Sequence, residues 1–310
     1  MRKNTSLTIG TRSSPLALRQ SAMVADALRA AHGFENAAIK IIEITTKGDR
    51  ALDEKLSELG GKGLFTEELE AGLRSGTMDL AVHSLKDLPT QNEEGLTLGA
   101  ILPRASAHDM LIVRDGLTVS GLADLPRGAH IGTASLRRQA QILRARPDIN
   151  ISLLRGNIGT RLKKLKASNM DATLLAAAGL ARLNMMPAVA VELDSDAMLP
   201  AAGQGALAVQ CRANDEATLA LLAPLNCAAT QACVTAERSF LQALDGSCRT
   251  PIAALATITN NTLFMHGRLL ADDGSDMVEI RVTCAPNDAE ATGRSAGQEL
   301  GRSAPHLVTR

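Results

Sequence analysis

Residues 130–175 read HIGTASLRRQAQILRARPDINISLLRGNIGTRLKKLKASNMDATLL, and their pattern decides the fold class. Apolar runs at 130–133, 149–154 and 172–175 have strand length, whereas 135–145 and 160–167 carry apolar residues at helical spacing. Strands alternating with helices in this way predict a mostly parallel sheet covered by helices. The two strand-to-helix turns share a chemistry. Gly132-Thr133-Ala134-Ser135-Leu136-Arg137-Arg138 combines small and hydroxyl residues with paired guanidiniums. Arg155-Gly156-Asn157-Ile158-Gly159-Thr160-Arg161 repeats the arrangement one unit later. Free backbone N–H groups at a helix start favour an anion, and forked arginine donors suit carboxylates. A single exposed arginine is ordinarily a solvated charge. Two such turns on one sheet edge point instead to a ligand with several carboxylates.

The same alternation extends outward. Residues 7–11 form a β-like run, and Ser14-Pro15 supplies an N-cap and first-turn proline for a helix to about residue 30. Residues 39–45 are the next strand. A charged, glycine-containing stretch at 47–63 reads as a lid-like loop. Helix 66–75 stops at Gly76, and strand 79–83 leads into Ser84-Leu85-Lys86-Asp87-Leu88-Pro89. Lys86 and Asp87 therefore emerge at a sheet edge, where α/β enzymes collect catalytic groups. Asp87 reads equally as a turn-capping aspartate or as a working carboxylate. His83 alone reads as a packed strand residue. Strand 206–210 needs a sheet to join and is expected to return to the first lobe. Beyond Pro224 the pattern changes to helix 228–243, β-runs 252–258, 263–270 and 277–284, and helix 289–300, a separate small α+β lobe.

Composition narrows the function. The 33 basic and 33 acidic side chains cancel, so no net field draws the chain to nucleic acid or an anionic membrane. With no Trp, no Tyr and four Phe, the chain lacks platforms for stacking unpaired bases. No apolar stretch reaches membrane-spanning length and none follows Arg2-Lys3, which predicts a cytoplasmic protein. The five cysteines are odd in number and never spaced Cys-x-x-Cys, and the histidines are scattered, so neither a disulfide framework nor a metal site is indicated. Cys248 is distinct from the others. It sits in the turn Asp245-Gly246-Ser247-Cys248-Arg249-Thr250-Pro251, where the adjacent cation favours thiolate.

Taken together, the stretches 9–18, 60–65, 83–89, 132–138, 155–161 and 246–252 resemble those of the porphobilinogen deaminase (hydroxymethylbilane synthase) family. The resemblance runs from about Leu7 to the C-terminal helix. It implies an α/β fold with two periplasmic-binding-protein-like lobes around a cleft plus a small C-terminal α+β domain. The corresponding domains are 1–104 with 204–223, 105–203, and 224–310. It implies a dipyrromethane cofactor joined to Cys248 by a thioether. On this primer four porphobilinogen units would be deaminated and added head to tail before hydrolysis releases hydroxymethylbilane, in tetrapyrrole biosynthesis. Carried over residue by residue, Lys86, Ser84, Thr133, Ser135, Arg137 and Arg138 would hold cofactor carboxylates. Arg12, Ser14, Gln20, Arg155, Arg161, Arg182 and Gln204 would hold substrate or growing chain, with Phe65 stacking beside a lid that contains Lys62. Asp87 would face the pyrrole nitrogens and stabilise the cation formed when ammonia leaves. The family also implies a monomer that hands its product to uroporphyrinogen-III synthase. Glu58 stands where many relatives have lysine, and Ser247-Cys248-Arg249-Thr250 departs from the commoner Gly-Cys-Gln-Val. The competing readings are an intracellular binding module for an organic polyanion and a transferase using Cys248 as a transient nucleophile.

Overall fold

The computed structural model describes residues 6–46, 66–244 and 250–308. The chain divides into two compact units, Met1–Arg104 with Ala206–Gln231 and Ala105–Gly205 with Ala232–Arg310.

The first unit is built on a five-stranded sheet of order β2-β1-β3-β10-β4. Strands β1 (Leu7–Arg12), β2 (Ile39–Ile44) and β3 (Leu80–Ser84) run parallel. Strand β10 (Leu207–Arg212) returns antiparallel between β3 and β4 (Leu96–Ile101). Helix α1 (Pro15–His32) starts where the Ser14 hydroxyl accepts from Ala17 N and stops at Gly33, whose φ of 66° suits a residue without Cβ. It lays Val24, Ala25 and Leu28 on Leu7, Ile9, Leu80 and Val82. Helix α2 (Glu67–Ser75) ends at Gly76 (φ 73°), and its Leu69 and Leu73 pack with Met78, Ala81 and Leu96. Alternate residues of β3 thus serve two cores, as strand pleating requires.

The second unit holds two sheets. One has the order β7-β6-β8-β5-β9. Its strands β6 (His130–Gly132), β7 (Asn150–Ser152) and β8 (Ala172–Ala176) are parallel. Strand β5 (Asp109–Val113) is antiparallel to β8 and to β9 (Ala190–Leu193). Helices α3 (Leu136–Ala145), α4 (Ile158–Lys166) and α5 (Ala177–Arg182) follow β6, β7 and β8. After helix α6 (Glu216–Leu222) of the first unit come α7 (Ala228–Ala243) and the antiparallel sheet β11 (Ile252–Thr259), β12 (Thr262–Leu270), β13 (Met277–Cys284). Asn260 and Asn261, at φ 50° and 58°, make the tight hairpin between β11 and β12. Helix α8 (Ala289–Ser303) closes a core around Phe240, Leu263, Met265 and Leu300.

The strand and helix expectations at 7–11, 66–75, 130–175 and 228–300 match these elements, and β10 joins the first sheet as expected. The mostly parallel sheet does not hold: two pairings in each five-stranded sheet are parallel and two are antiparallel. Apolar pattern reports burial, not strand direction. Strands β4, β5 and β9 and helices α5 and α6 had no counterpart in that reading.

Asp109 organises the second unit. Wholly buried at the start of β5, it accepts from Arg137 Nη2 on Oδ2 at 2.8 Å. Its Oδ1 accepts from Arg138 Nη2 at 2.7 Å and from Gln204 Nε2 at 3.0 Å. Arg137 Nη1 reaches the Leu199 carbonyl and Arg138 Nη1 the Leu174 carbonyl. Gln141 grips Leu199 on both its N–H and its C=O. The segment 199–205 is thereby tied to α3. Burial lowers the pKa of Arg137 and Asp109 opposes the shift. Asp109→Ala would leave two buried guanidiniums without their carboxylate, a loss of about 3–5 kcal/mol. Urea unfolding should show that loss as a lower midpoint, and an unchanged midpoint would contradict the hub assignment.

Candidate active site

In the first unit the carboxyl ends of β1 and β3 lie side by side, because the two strands are parallel neighbours. Arg12 ends β1, and a 3-10 turn, Leu85–Asp87, follows β3. A cavity of about 60 Å³ opens there, lined by Arg12, Ser14, Gln20, His83, Ser84 and Asp87 among others. Gln20 is buried on α1 and donates from Nε2 to Ser84 Oγ at 2.8 Å, which fixes the hydroxyl at the strand end. Asp87 is exposed and Lys86 half-buried. An arginine, two hydroxyls and a carboxylate in one cavity can hold an anionic group at one end and an N–H or cationic group at the other.

Behind this cavity runs a buried polar chain. His83 Nε2 lies 3.0 Å from Gln210 Oε1, and Gln210 Nε2 donates to Glu70 Oε1 at 3.2 Å. Thr66 Oγ1 donates to the other Glu70 oxygen at 3.3 Å. His83 pairs with Ala208 across the ladder, so Gln210, two residues on, is its diagonal neighbour on the same face. Burial pushes the His83 pKa from about 6.5 to about 4, against the hydrogen bond to Gln210 and with help from the Arg12 charge.

In the second unit the carboxyl ends of β6, β7 and β8 carry the remaining candidates. Ser135 caps α3, its hydroxyl accepting from Arg138 N, while Thr133 Oγ1 accepts from Ser135 N. Asn157 caps α4 by accepting from Thr160 N at 2.9 Å, and Arg161 Nε donates to the Gly156 carbonyl at 2.7 Å. Arg182 Nη2 donates to the Gly205 carbonyl at 2.7 Å, and burial lowers the Arg182 pKa. Several buried polar atoms have no hydrogen-bond partner: Arg155 Nη1, Arg182 Nε, Arg138 Nε and Ser152 Oγ. Arginine N–H groups only donate, so three of these four positions call for acceptors.

The expected residues thus fall into two sets. Arg12, Ser14, Gln20, Ser84 and Asp87 share the first-unit cavity, and Thr133, Ser135, Arg155, Arg161 and Arg182 lie at the second sheet's edge. Arg137 and Arg138 are only 6% and 5% exposed, and each spends two N–H donors on Asp109 and a carbonyl. Gln204 is wholly buried and donates to Asp109 and the Ala107 carbonyl. Phe65, Lys62, Glu58 and Cys248 lie outside the described residues. Sequence reasoning missed Asp109, Gln210 and Glu70. Each carried a signal, being a polar residue inside an apolar run or on an apolar helix face. Among the described residues no three His, Cys, Asp or Glu side chains gather as a metal site, and no single helix is long and apolar enough to cross a membrane.

The His83 shift has a stability consequence. As pH falls, the unfolded chain takes up this proton near pH 6.5 and the folded chain only near 4, so folding weakens with falling pH across that window. At about 1.4 kcal/mol per pH unit the loss reaches about 3 kcal/mol. Urea unfolding at neutral pH and near pH 4.5 should show a smaller acid loss in His83→Gln than in the unaltered chain. Equal losses would contradict the buried neutral ring.

Comparisons with known proteins show the family. A family model described as porphobilinogen deaminase, dipyromethane cofactor binding domain, matches residues 7–220, and the family's C-terminal domain matches 231–302. The porphobilinogen deaminase of Sphingopyxis alaskensis is 50% identical over 305 residues, covering 98% of this chain and 96% of the relative. That of Syntrophotalea carbinolica is 46% identical over 297 residues, covering 96% and 93%. Among solved structures, the periplasmic VFT2 domain of BvgS from Bordetella pertussis aligns with a TM-score of 0.42 at 17% identity, covering 72% of this chain and 87% of that one. With both family models matched in order and nearly the whole chain aligned, this protein belongs to the porphobilinogen deaminase family.

Proposed function

We propose that the chain is a hydroxymethylbilane synthase that deaminates porphobilinogen and joins four units head to tail on a covalent dipyrromethane. The observation that carries the reading is the cofactor-binding-domain match over 7–220, which contains both sets of site residues. The residues fit such a group. Its pyrroles carry acetate and propionate side chains, and the second unit offers buried arginine donors at Arg155, Arg182 and Arg138 that lack acceptors. When bound, the dipyrromethane supplies the nucleophilic carbon on which the product grows. Cys248 is its proposed anchor.

The chain's own residues do the rest. Thr133 and Ser135 use oxygen lone pairs at the α3 start and keep their O–H groups to donate to a carboxylate. Arg155, Arg161 and Arg182 bind carboxylates of substrate and growing chain, and Arg12 and Ser14 do so in the first-unit cavity. Lys86 holds a cofactor carboxylate beside Asp87. Arg137 and Arg138 act mainly by shaping the edge through Asp109, with Arg138 Nε left to donate outward. Asp87 accepts pyrrole N–H and stabilises positive charge on the ring as ammonia leaves. Phe65 and Lys62 are proposed to cover the bound substrate. The working division is 1–104 with 204–223, 105–203 and 224–310. A cytoplasmic location is part of this proposal. A monomer that hands its product to uroporphyrinogen-III synthase completes the proposal.

Ammonia release from porphobilinogen tests the reading. The unaltered holoenzyme should release ammonia and form hydroxymethylbilane, and no turnover would refute the function. Asp87→Asn should fold and keep the cofactor but lose activity by about 100-fold or more, as expected for a positioned proton-transfer or charge-stabilising group. Near-normal activity would remove Asp87 from the chemistry. Arg155→Glu should slow elongation by at least about tenfold by opposing carboxylates, read as altered populations of elongation intermediates in native mass spectra. Unchanged kinetics would place Arg155 outside the path.

A further inference from the structure

The first-unit cavity is lined by His83 as well as by Asp87. His83 lines the cavity, yet its Nε2 faces inward onto Gln210. The direction of that hydrogen bond follows from its neighbours. The Gln210 Nε2 amide can only donate, and it meets the Glu70 carboxylate at 3.2 Å, with Thr66 Oγ1 donating to the second carboxylate oxygen. Gln210 therefore turns its oxygen toward His83, and His83 must carry its proton on Nε2. The other ring nitrogen, Nδ1, is left with a lone pair and no proton. Burial and the Arg12 charge keep the ring from taking a second proton at neutral pH. The groups around it come from four elements: Arg12 on β1, Glu70 on α2, Gln210 on β10, and Asp87 in the turn after its own strand.

Porphobilinogen brings two carboxylates, a pyrrole N–H and an aminomethyl group that is an ammonium at neutral pH. The carboxylates match Arg12 and the hydroxyls. The two nitrogen sites need acceptors, and Asp87 is one. We propose that His83 is a substrate-touching catalytic residue whose Nδ1 accepts a hydrogen bond from the aminomethyl ammonium of porphobilinogen and so orients the leaving group for deamination, while Asp87 serves the pyrrole N–H. The assignment rests on the deaminase reading above.

In that step the carbon–nitrogen bond breaks with its electron pair going to nitrogen. The ammonium departs as neutral ammonia and the positive charge passes to the pyrrole, so no proton has to be supplied. A neutral acceptor is what the leaving group needs. A protonated imidazole would repel the ammonium, and a second carboxylate would favour the charged ground state over departure. Gln210, which touches only His83 and Glu70 in this chain of contacts, is a positioning residue that fixes the tautomer.

Two substitutions separate the ring nitrogens. His83→Gln places an amide N–H where Nε2 stood and keeps the Gln210 contact, but provides nothing at Nδ1. His83→Asn places an oxygen near Nδ1 and gives up Gln210. The holoenzyme with His83→Gln should lose about tenfold or more in kcat for ammonia release, because the leaving group is no longer oriented. His83→Asn should retain more activity than His83→Gln. Equal kcat and KM in His83→Gln and the unaltered enzyme would overturn the assignment. If the unaltered enzyme itself releases no ammonia, the functional reading falls and this inference with it. If the enzyme turns over and His83→Gln matches it, only the role of His83 falls. A measurement on the unaltered holoenzyme covers the case where a variant fails to fold. Its imidazole ¹⁵N spectrum should show an Nε2–H tautomer whose Nδ1 resonance moves toward a hydrogen-bonded acceptor when porphobilinogen is added. An Nδ1–H tautomer, or an Nδ1 resonance that does not move, would overturn the proposal.

Discussion

The Asp109 carboxylate is the constraint on which the second unit depends. One wholly buried acid receives two guanidiniums and a glutamine amide, from residues as far away as 204 in the chain. Ion pairs at this depth gain Coulomb energy but must repay desolvation, and they succeed only when the remaining donors also find partners. Here the Leu199 and Leu174 carbonyls take one further donor from each arginine, and Arg138 Nε is left for a ligand. The result is a rigid joint between β5, α3 and the segment before β10. Two guanidiniums share the one Asp109 carboxylate, so these three groups together carry net positive charge. The unpartnered donors of Arg155 and Arg182, in the same unit, likewise suit an anionic ligand better than a neutral one.

The first unit solves a different problem. Its cavity is small and mixed, lined by Arg12, Ser14, Ser84, His83 and Asp87. Two of these, Ser84 and His83, are held by more deeply buried residues. Gln20 holds Ser84, Gln210 holds His83, and Glu70 holds Gln210. Buried networks of this kind are worth their desolvation only if every member is satisfied, and then they fix orientation closely. Under the proposed function, one unit would supply mainly cationic donors, and the other the groups that handle N–H protons and the leaving nitrogen.

Much of this was legible in the sequence because local rules and tertiary structure agreed. Ser14-Pro15 and Gly33 bound α1, and the Ser135 and Asn157 caps mark the anion-favouring turns. The helix at 228–243 and the strand at 277–284 end where periodicity ends. Strand direction was not legible, since β5 and β10 look alike whether parallel or antiparallel. Nor was the partition of the arginines. Arg137 and Arg138 stand in the same kind of turn as Arg155, yet burial and Asp109, 28 residues before Arg137, commit them inward. A lone Asp at the head of Met110-Leu111-Ile112-Val113 was the available clue, and it tells of a buried partner without naming one. Gln210 and Glu70 are the same case, because the polar chain they form with His83 exists only once β3, β10 and α2 are assembled.

The account stands or falls on a covalent dipyrromethane carried by this chain. Intact mass spectrometry of the purified active protein tests that most directly. The predicted result is a single species heavier than the chain by one dipyrromethane, reddening with Ehrlich's reagent, and returning to the bare chain mass in Cys248→Ser. An active protein at the bare chain mass, with Cys248 unmodified, would contradict it.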